Sequence, residues 1–176
     1  MKKDANFLLP DEASERLWYR KVKWSDFDDW LPFYNHPEST RYWEGLPPDP
    51  SEACQQQFDR IFERYQKHLG GMNALISKAS GNLIGLCGLL VQQVDAIEEL
   101  EIGYSILPQY WGKGYATEAA QKCTAFAKQH LLAATLISII HVDNLPSQKV
   151  AINVGMQLEK TTSYKNNPVH IFRVKL

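Results

Sequence analysis

The sequence predicts an α/β (α+β) protein: one mixed, mostly antiparallel sheet of about seven strands, with helices on both faces. Three observations predict it. The apolar periodicity switches between two and 3.6 residues in the order strand, two helices, three strands, helix, strand, helix, two strands. Leu83 to Val91 is apolar throughout, as a strand covered on both faces must be. Leu100 to Leu107 alternates and then meets Pro108, which has no N–H to extend a ladder. A sheet covered by helices on both faces is the economical assembly of that order.

The elements follow in turn. Residues 1–15 are polar with Pro10 and read as a loose arm. Arg16 to Val22 is a first strand. Ser25 and Asp28 read as a capping box ahead of the stripe Phe27, Trp30, Leu31 and Tyr34, which stops before Pro37. Residues 35–51 are loop-like, with four prolines and the aromatic pair Tyr42 and Trp43. Asp49-Pro50 caps and opens a second helix with the stripe Cys54, Phe58, Ile61, Phe62 and Tyr65; Gly70-Gly71 reads as its end. Asn73–Ser77 and Leu83–Val91 are strands around a turn at 79–82. A polar turn leads to the Leu100–Leu107 strand. Ala116, Ala119, Ala120, Cys123, Phe126 and Ala127 mark a helix running to about His130. Thr135–His141 is β-branched and apolar, hence a strand. Asp143 to Ser147 leads a short helix ended by Gly155. Gln157–Lys165 and Val169–Leu176 are two last strands, joined through Asn166-Asn-Pro168.

Composition narrows the function. A chain of 176 residues suits a single domain over 1–176. Apolar residues are 44% and charged residues 22%, a globular balance. A net charge of −1 argues against bulk electrostatic binding of nucleic acid. No apolar run reaches the ~20 residues of a membrane span, and none follows Lys2 and Lys3 as an export signal requires. Cys54, Cys87 and Cys123 are odd in number and far apart, which suits buried free thiols, a cytoplasmic setting and no metal motif. Oligomeric state, monomer or homodimer, is not legible.

The chemistry gathers at Pro108 to Ala119. A strand end, the basic turn Trp111-Gly112-Lys113-Gly114 and a helix start make an anion site. The first helical N–H groups have no intrahelical partner, and the helix dipole adds positive charge there. The two glycines clear space beside the backbone and Lys113 adds a charge. An ordinary strand–helix turn is the plainer reading. The dinucleotide fingerprint lacks its third glycine, because Thr117 stands there. The mononucleotide P-loop fails because Gly114 follows Lys113.

Pro108-Gln-Tyr-Trp-Gly-Lys-Gly-Tyr-Ala-Thr-Glu-Ala119 resembles the acetyl-CoA pyrophosphate loop of the GNAT superfamily of N-acetyltransferases, specifically its ribosomal-protein alanine acetyltransferase (RimJ/RimL-like) group. Two registers of that pattern fit. Gln109, Gly112 and Gly114 match literally. Counting from Pro108 instead places Trp111, Gly114 and Ala116, and starts the helix at the right distance. Residues 35–42, and Asn144-Leu-Pro-Ser147 with Gly155-Met156, are also similar to that group. The element order agrees, so the resemblance covers nearly the whole chain.

The resemblance implies a GNAT fold, acetyl-CoA as co-substrate and an amine-bearing acceptor, either a peptide N-terminus or a small molecule. It implies that Trp111, Gly112, Lys113, Gly114, Tyr115, Ala116 and Thr117 hold the coenzyme. It implies that the strand ending at Pro108 splays from its neighbour, freeing N–H groups near Ile106 and Leu107 for the pantetheine and thioester. Glu101 is the candidate general base, against a plainer reading as a solvated strand residue beside Glu98 and Glu99. Ser147 is the candidate donor to the departing thiolate and Asn144 a pantetheine partner, each compatible with helix capping. Tyr104 reads as core. Tyr42 and Trp43 are loop anchors or acceptor-lining residues. The acidic run Glu98, Glu99 and Glu101 suggests a cationic acceptor. A non-catalytic acyl-CoA-binding module and an unrelated nucleotide-dependent protein are the competing readings.

Overall fold

A computed structural model describes residues 6–176. Seven strands form one sheet in the order β1-β2-β3-β4-β5-β7-β6. They are β1 (Leu17–Lys21), β2 (Gly70–Ser77), β3 (Leu83–Val94), β4 (Ile97–Ile106), β5 (Thr135–His141), β6 (Gln157–Tyr164) and β7 (Asn167–Lys175). The helices are α1 (Phe27–Asn35), α2 (Pro50–Gln66), α3 (Tyr115–Gln129) and α4 (Leu145–Asn153). All pairings are antiparallel except β4 with β5. Among the described residues no helix is long and apolar enough to cross a membrane.

The mixed sheet with helices on both faces is therefore as predicted. Leu100, Ile102 and Ile106 of β4 pack with α3 through Ala119, Ala120, Cys123 and Phe126. Leu86 and Leu107 lie in the opposite cluster, with Trp30 and Phe33 of α1 and Phe58 and Ile61 of α2. β3 is buried on both faces over its first seven residues, which is why its sequence does not alternate.

Several local readings change. Part of the expected loose arm lies outside the described residues; from Phe7 to Leu9 it is buried, with the Leu9 N–H donating to Asn73 Oδ1 at 3.0 Å. Three successive apolar residues carried that signal. Gly70 and Gly71 open β2 rather than end α2. A Cβ on Gly70 would sit 2.1 Å from the Leu89 carbonyl oxygen, so close strand approach demands the glycine; the left-handed turn after α2 is shared by His68, at φ 54°, and Gly70, at φ 69°. The expected Ser25–Asp28 box does not form. Asp26 accepts from the Lys23 N–H at 2.8 Å and takes both ends of Arg20 at 2.7 Å. The Asp49 cap does form, accepting from Ser51 and Glu52 N–H groups.

The polar stretch before Leu100 is mostly strand. β3 and β4 run on to a two-residue turn at Asp95 and Ala96, both at positive φ, as a tight hairpin requires. The hairpin tip reaches the far strands. Lys160 pairs with Asp95 at 2.7 Å, and Arg173 pairs with Glu99 at 2.6 Å. The last turn is likewise Lys165-Asn166, with Asn167 and Pro168 already in β7.

Candidate active site

The one parallel contact decides where the site lies. β4 and β5 pair only at Glu101 and Ile137. Among the described residues no ladder pair joins them beyond that point, so toward their C-terminal ends they leave a V-shaped gap. Two β4 carbonyls facing the gap are satisfied by side chains instead of strand. Ser138 Oγ donates to the Ile102 oxygen at 3.0 Å, and Trp111 Nε1 to the Ile106 oxygen at 2.6 Å.

Ladder alternation separates the two N–H groups expected here. The Leu107 N–H donates to the Ile84 oxygen of β3 at 3.0 Å, so it is not free and Leu107 itself is buried. The register turns the Ile106 N–H the other way, into the gap. Leu107 is corrected from ligand donor to core residue, which leaves the Ile106 N–H as the candidate donor.

The open end of the V holds the basic turn. Gly112 and Gly114 take φ of 72° and 80°, a region open to glycine, and space around Gly112 is clear. Gly114 is the N-cap of α3 and offers no side-chain cap. The first helical bond runs from the Glu118 N–H to the Gly114 oxygen, so those of Tyr115, Ala116 and Thr117 lack intrahelical partners. Lys113 Nζ bends back to the Gln109 oxygen at 2.9 Å.

Arg16, which the sequence reading passed over, braces this turn. Its Nη1 donates to the Lys113 oxygen at 2.9 Å, and its guanidinium stacks 4.3 Å from the Tyr115 ring centroid. Glu118 holds it, accepting from Arg16 Nε at 2.6 Å, the Arg16 N–H at 2.7 Å and Ser14 Oγ at 2.6 Å. Burial pushes the Glu118 pKa up, but these hydrogen bonds and the Arg16 charge outweigh it and the net shift is down. A basic residue 102 positions before its acidic partner leaves no local sequence signal.

The closed end of the V holds Glu101. It is not solvated. Gln92 Nε2 donates to Glu101 Oε2 at 2.7 Å, and Tyr164 donates to Gln92 Oε1 at 3.1 Å. Burial raises the Glu101 pKa; Gln92, Arg64, Lys165 and the Ile139 N–H oppose it. The acidic run divides: Glu99 is neutralised by Arg173, Glu98 is exposed and Glu101 is enclosed. It is therefore no continuous cationic-acceptor surface.

α4 begins beside the V. Asn144 is its N-cap, and Asn144 Oδ1 accepts from the Ser147 N–H at 3.2 Å. Ser147 is thus the capped residue rather than the cap, and its half-buried hydroxyl makes no hydrogen bond among the described residues. Tyr104 Oη donates to the Ser147 oxygen at 2.7 Å and ties this turn to β4. Tyr104 is therefore a partly buried core residue with a polar tether.

Tyr42 and Trp43 part company. Tyr42 stacks on His141 at 4.9 Å and donates to the Asp143 oxygen at 3.0 Å. It lines a cavity of about 300 Å³ with Arg41, Glu44, His141, Asp143 and Asn167. Trp43 packs on Phe33 and Tyr34, so it anchors the loop to α1.

The split sheet thus has an uncapped helix start at one end and a half-buried carboxylate at the other. The profile of the acetyltransferase (GNAT) domain matches residues 16–157, and the chain belongs to that family. It is 27% identical over 147 residues to the uncharacterised N-acetyltransferase p20 of Bacillus licheniformis, covering 83% of this chain and 82% of that one. The acetyltransferase structure from Agrobacterium tumefaciens superposes with a TM-score of 0.80 at 23% identity, covering both chains completely. A ribosomal alpha-N-protein acetyltransferase solved with coenzyme A has a TM-score of 0.73 at 14% identity, over 94% of this chain and 97% of that one. These two likenesses concern the fold.

Proposed function

We propose that the protein is an acetyl-CoA-dependent N-acetyltransferase acting on a primary amine, either a peptide N-terminus or a small molecule. The observation that carries this reading is the V between β4 and β5, with the α3 N-terminus at its mouth and Glu101 at its apex. A ligand with phosphates at one end and a thioester at the other fits that shape. The GNAT relative with coenzyme A supports the same ligand.

Acetyl-CoA supplies a thioester-activated acetyl group. The N–H groups of Tyr115, Ala116 and Thr117, with Gly112, Lys113 and Gly114, hold the phosphates. The Ile106 N–H is placed to pair with the pantetheine arm or the thioester oxygen, as an added strand would. Trp111 keeps the turn against β4 through Ile106. Glu101 takes the proton from the attacking amine, directly or through water; burial raises its pKa toward the working range of a base. Ser147 donates a hydrogen bond to the departing thiolate, with Asn144 holding its turn. Tyr42 lines the acceptor side. The turn sequence Trp111 to Ala119 supports a RimJ/RimL-like assignment.

An acetyl-CoA turnover screen over amines and N-terminal peptides, read by product mass, tests the proposal. Product with at least one amine is expected. CoA binding without thiol release from any of them would leave a binding module instead. Preference for NAD or ATP over CoA in equilibrium binding would overturn the site assignment.

A further inference from the structure

Gln92 does more than sit beside Glu101. Leu90 faces Glu101 across the β3–β4 ladder, so Gln92 is its diagonal neighbour on the same face. Its amide is engaged at both ends. Nε2 donates to Glu101 Oε2 at 2.7 Å, and Oε1 accepts from the Tyr164 hydroxyl of β6 at 3.1 Å. Turned over, the amide would set its oxygen against a carboxylate oxygen at that same short distance, which a charged carboxylate disfavours. The β3–β4 hairpin also meets β6 at its tip, where Lys160 and Thr162 hold Asp95.

We propose that Gln92 and Tyr164 are positioning residues for Glu101: Tyr164 anchors the far end of the Gln92 amide, and the amide fixes the carboxylate and favours its charged form. The consequence for turnover rests on reading Glu101 as the general base. The positioning itself does not.

Other groups also face Glu101. Arg64 of α2 spends Nη2 on the Leu69 and Val91 oxygens at 2.7 Å each, and its Nε is buried without a partner. Lys165 of the β6–β7 turn and the Ile139 N–H of β5 also act on it. All three favour the charged form, and burial opposes them. They stay constant when only the amide or the phenol is changed.

The test uses the full chain and needs no acceptor. Glutamate is labelled with carbon-13 at the side-chain carboxyl, and the Glu101 signal is assigned by its loss in Glu101→Gln. Its titration midpoint is then followed in wild type, Gln92→Met, Tyr164→Phe and the double variant, each checked as folded. Losing a hydrogen bond to a charged group should raise the midpoint by about one pH unit in Gln92→Met. Tyr164→Phe should raise it by less, because the Tyr164 hydroxyl acts only through the amide. In the Gln92→Met background, Tyr164→Phe should then do nothing, the non-additivity of a linked pair. A midpoint unmoved in Gln92→Met overturns the proposal, as does an equal effect of Tyr164→Phe in both backgrounds. If the midpoints move as stated but the pH–rate limb with N-terminal peptides does not follow, the positioning stands and the general-base reading fails.

Discussion

Gly114→Asp separates the phosphate turn from ordinary loop structure. Gly114 has φ +80°, and a Cβ there would meet only Arg16 Nη2, at 3.5 Å. The left-handed conformation costs most L-residues about 1–2 kcal/mol, and aspartate is among those that adopt it best. The new carboxylate would also gain a cation at Arg16. The fold should therefore lose only about 1 kcal/mol, or roughly 2–4 °C in Tm for a domain of this size. Binding should suffer far more. A carboxylate held ~5 Å from a phosphate charge, at an effective dielectric near 20, opposes it by about 3 kcal/mol. That is a loss of roughly a hundredfold in CoA affinity. Gly81→Asp is the control, because Gly81 has φ +74° and open space around it in the β2–β3 turn. It should cost a similar fraction of stability and leave CoA binding unchanged. Calorimetry with CoA, alongside thermal melts, reads both quantities. Wild-type affinity in a folded Gly114→Asp protein would refute the phosphate assignment, and an equal loss in Gly81→Asp would show an indirect effect.

Three further outcomes are expected. Glu101→Gln should lower turnover by about 10²–10⁴-fold while barely changing acetyl-CoA affinity, with the loss shrinking as rising pH frees the acceptor amine; an unchanged kcat, with chemistry rate-limiting, removes Glu101 from the mechanism. Because the folded-state pKa of Glu101 is raised, its charged form opposes folding above that pKa and not below the unfolded value, so this variant should melt no lower than wild type at pH 7. Ser147→Ala should lower kcat more than it weakens acetyl-CoA binding, since help to a leaving group acts in the transition state; a lower Tm with unchanged kcat would make the residue purely structural. Glu118→Gln should cost about 2 kcal/mol at pH 7, the worth of hydrogen bonds to a charge. The folded pKa of Glu118 is lowered, so this contribution is present above the unfolded value near 4.3 and lost as pH falls through the folded one. Urea melts at pH 7 and pH 3 should show the wild-type advantage vanish in acid; a constant gap would mean a packing role.

The elements were legible because their signals are local. Helix stripes, the Asp49-Pro50 cap and the Pro108 stop each lie within a few residues of what they control. The turn from Trp111 to Thr117 was equally legible, since backbone N–H groups at a helix start need only glycines and a strand end. The rest depended on distance in sequence. Whether Leu107 or Ile106 faces the gap is settled by the β3–β4 register, which one residue of slip would reverse. Trp43 turned to α1 and Tyr42 to His141 although the two are adjacent. Glu101 looked like one carboxylate in an exposed run. Gln92, Arg64, Tyr164 and Lys165 converge on it from other elements, and the low dielectric they enclose makes it a different acid from Glu98. Solvation is a property of the packed neighbourhood, so only the tertiary structure could decide it.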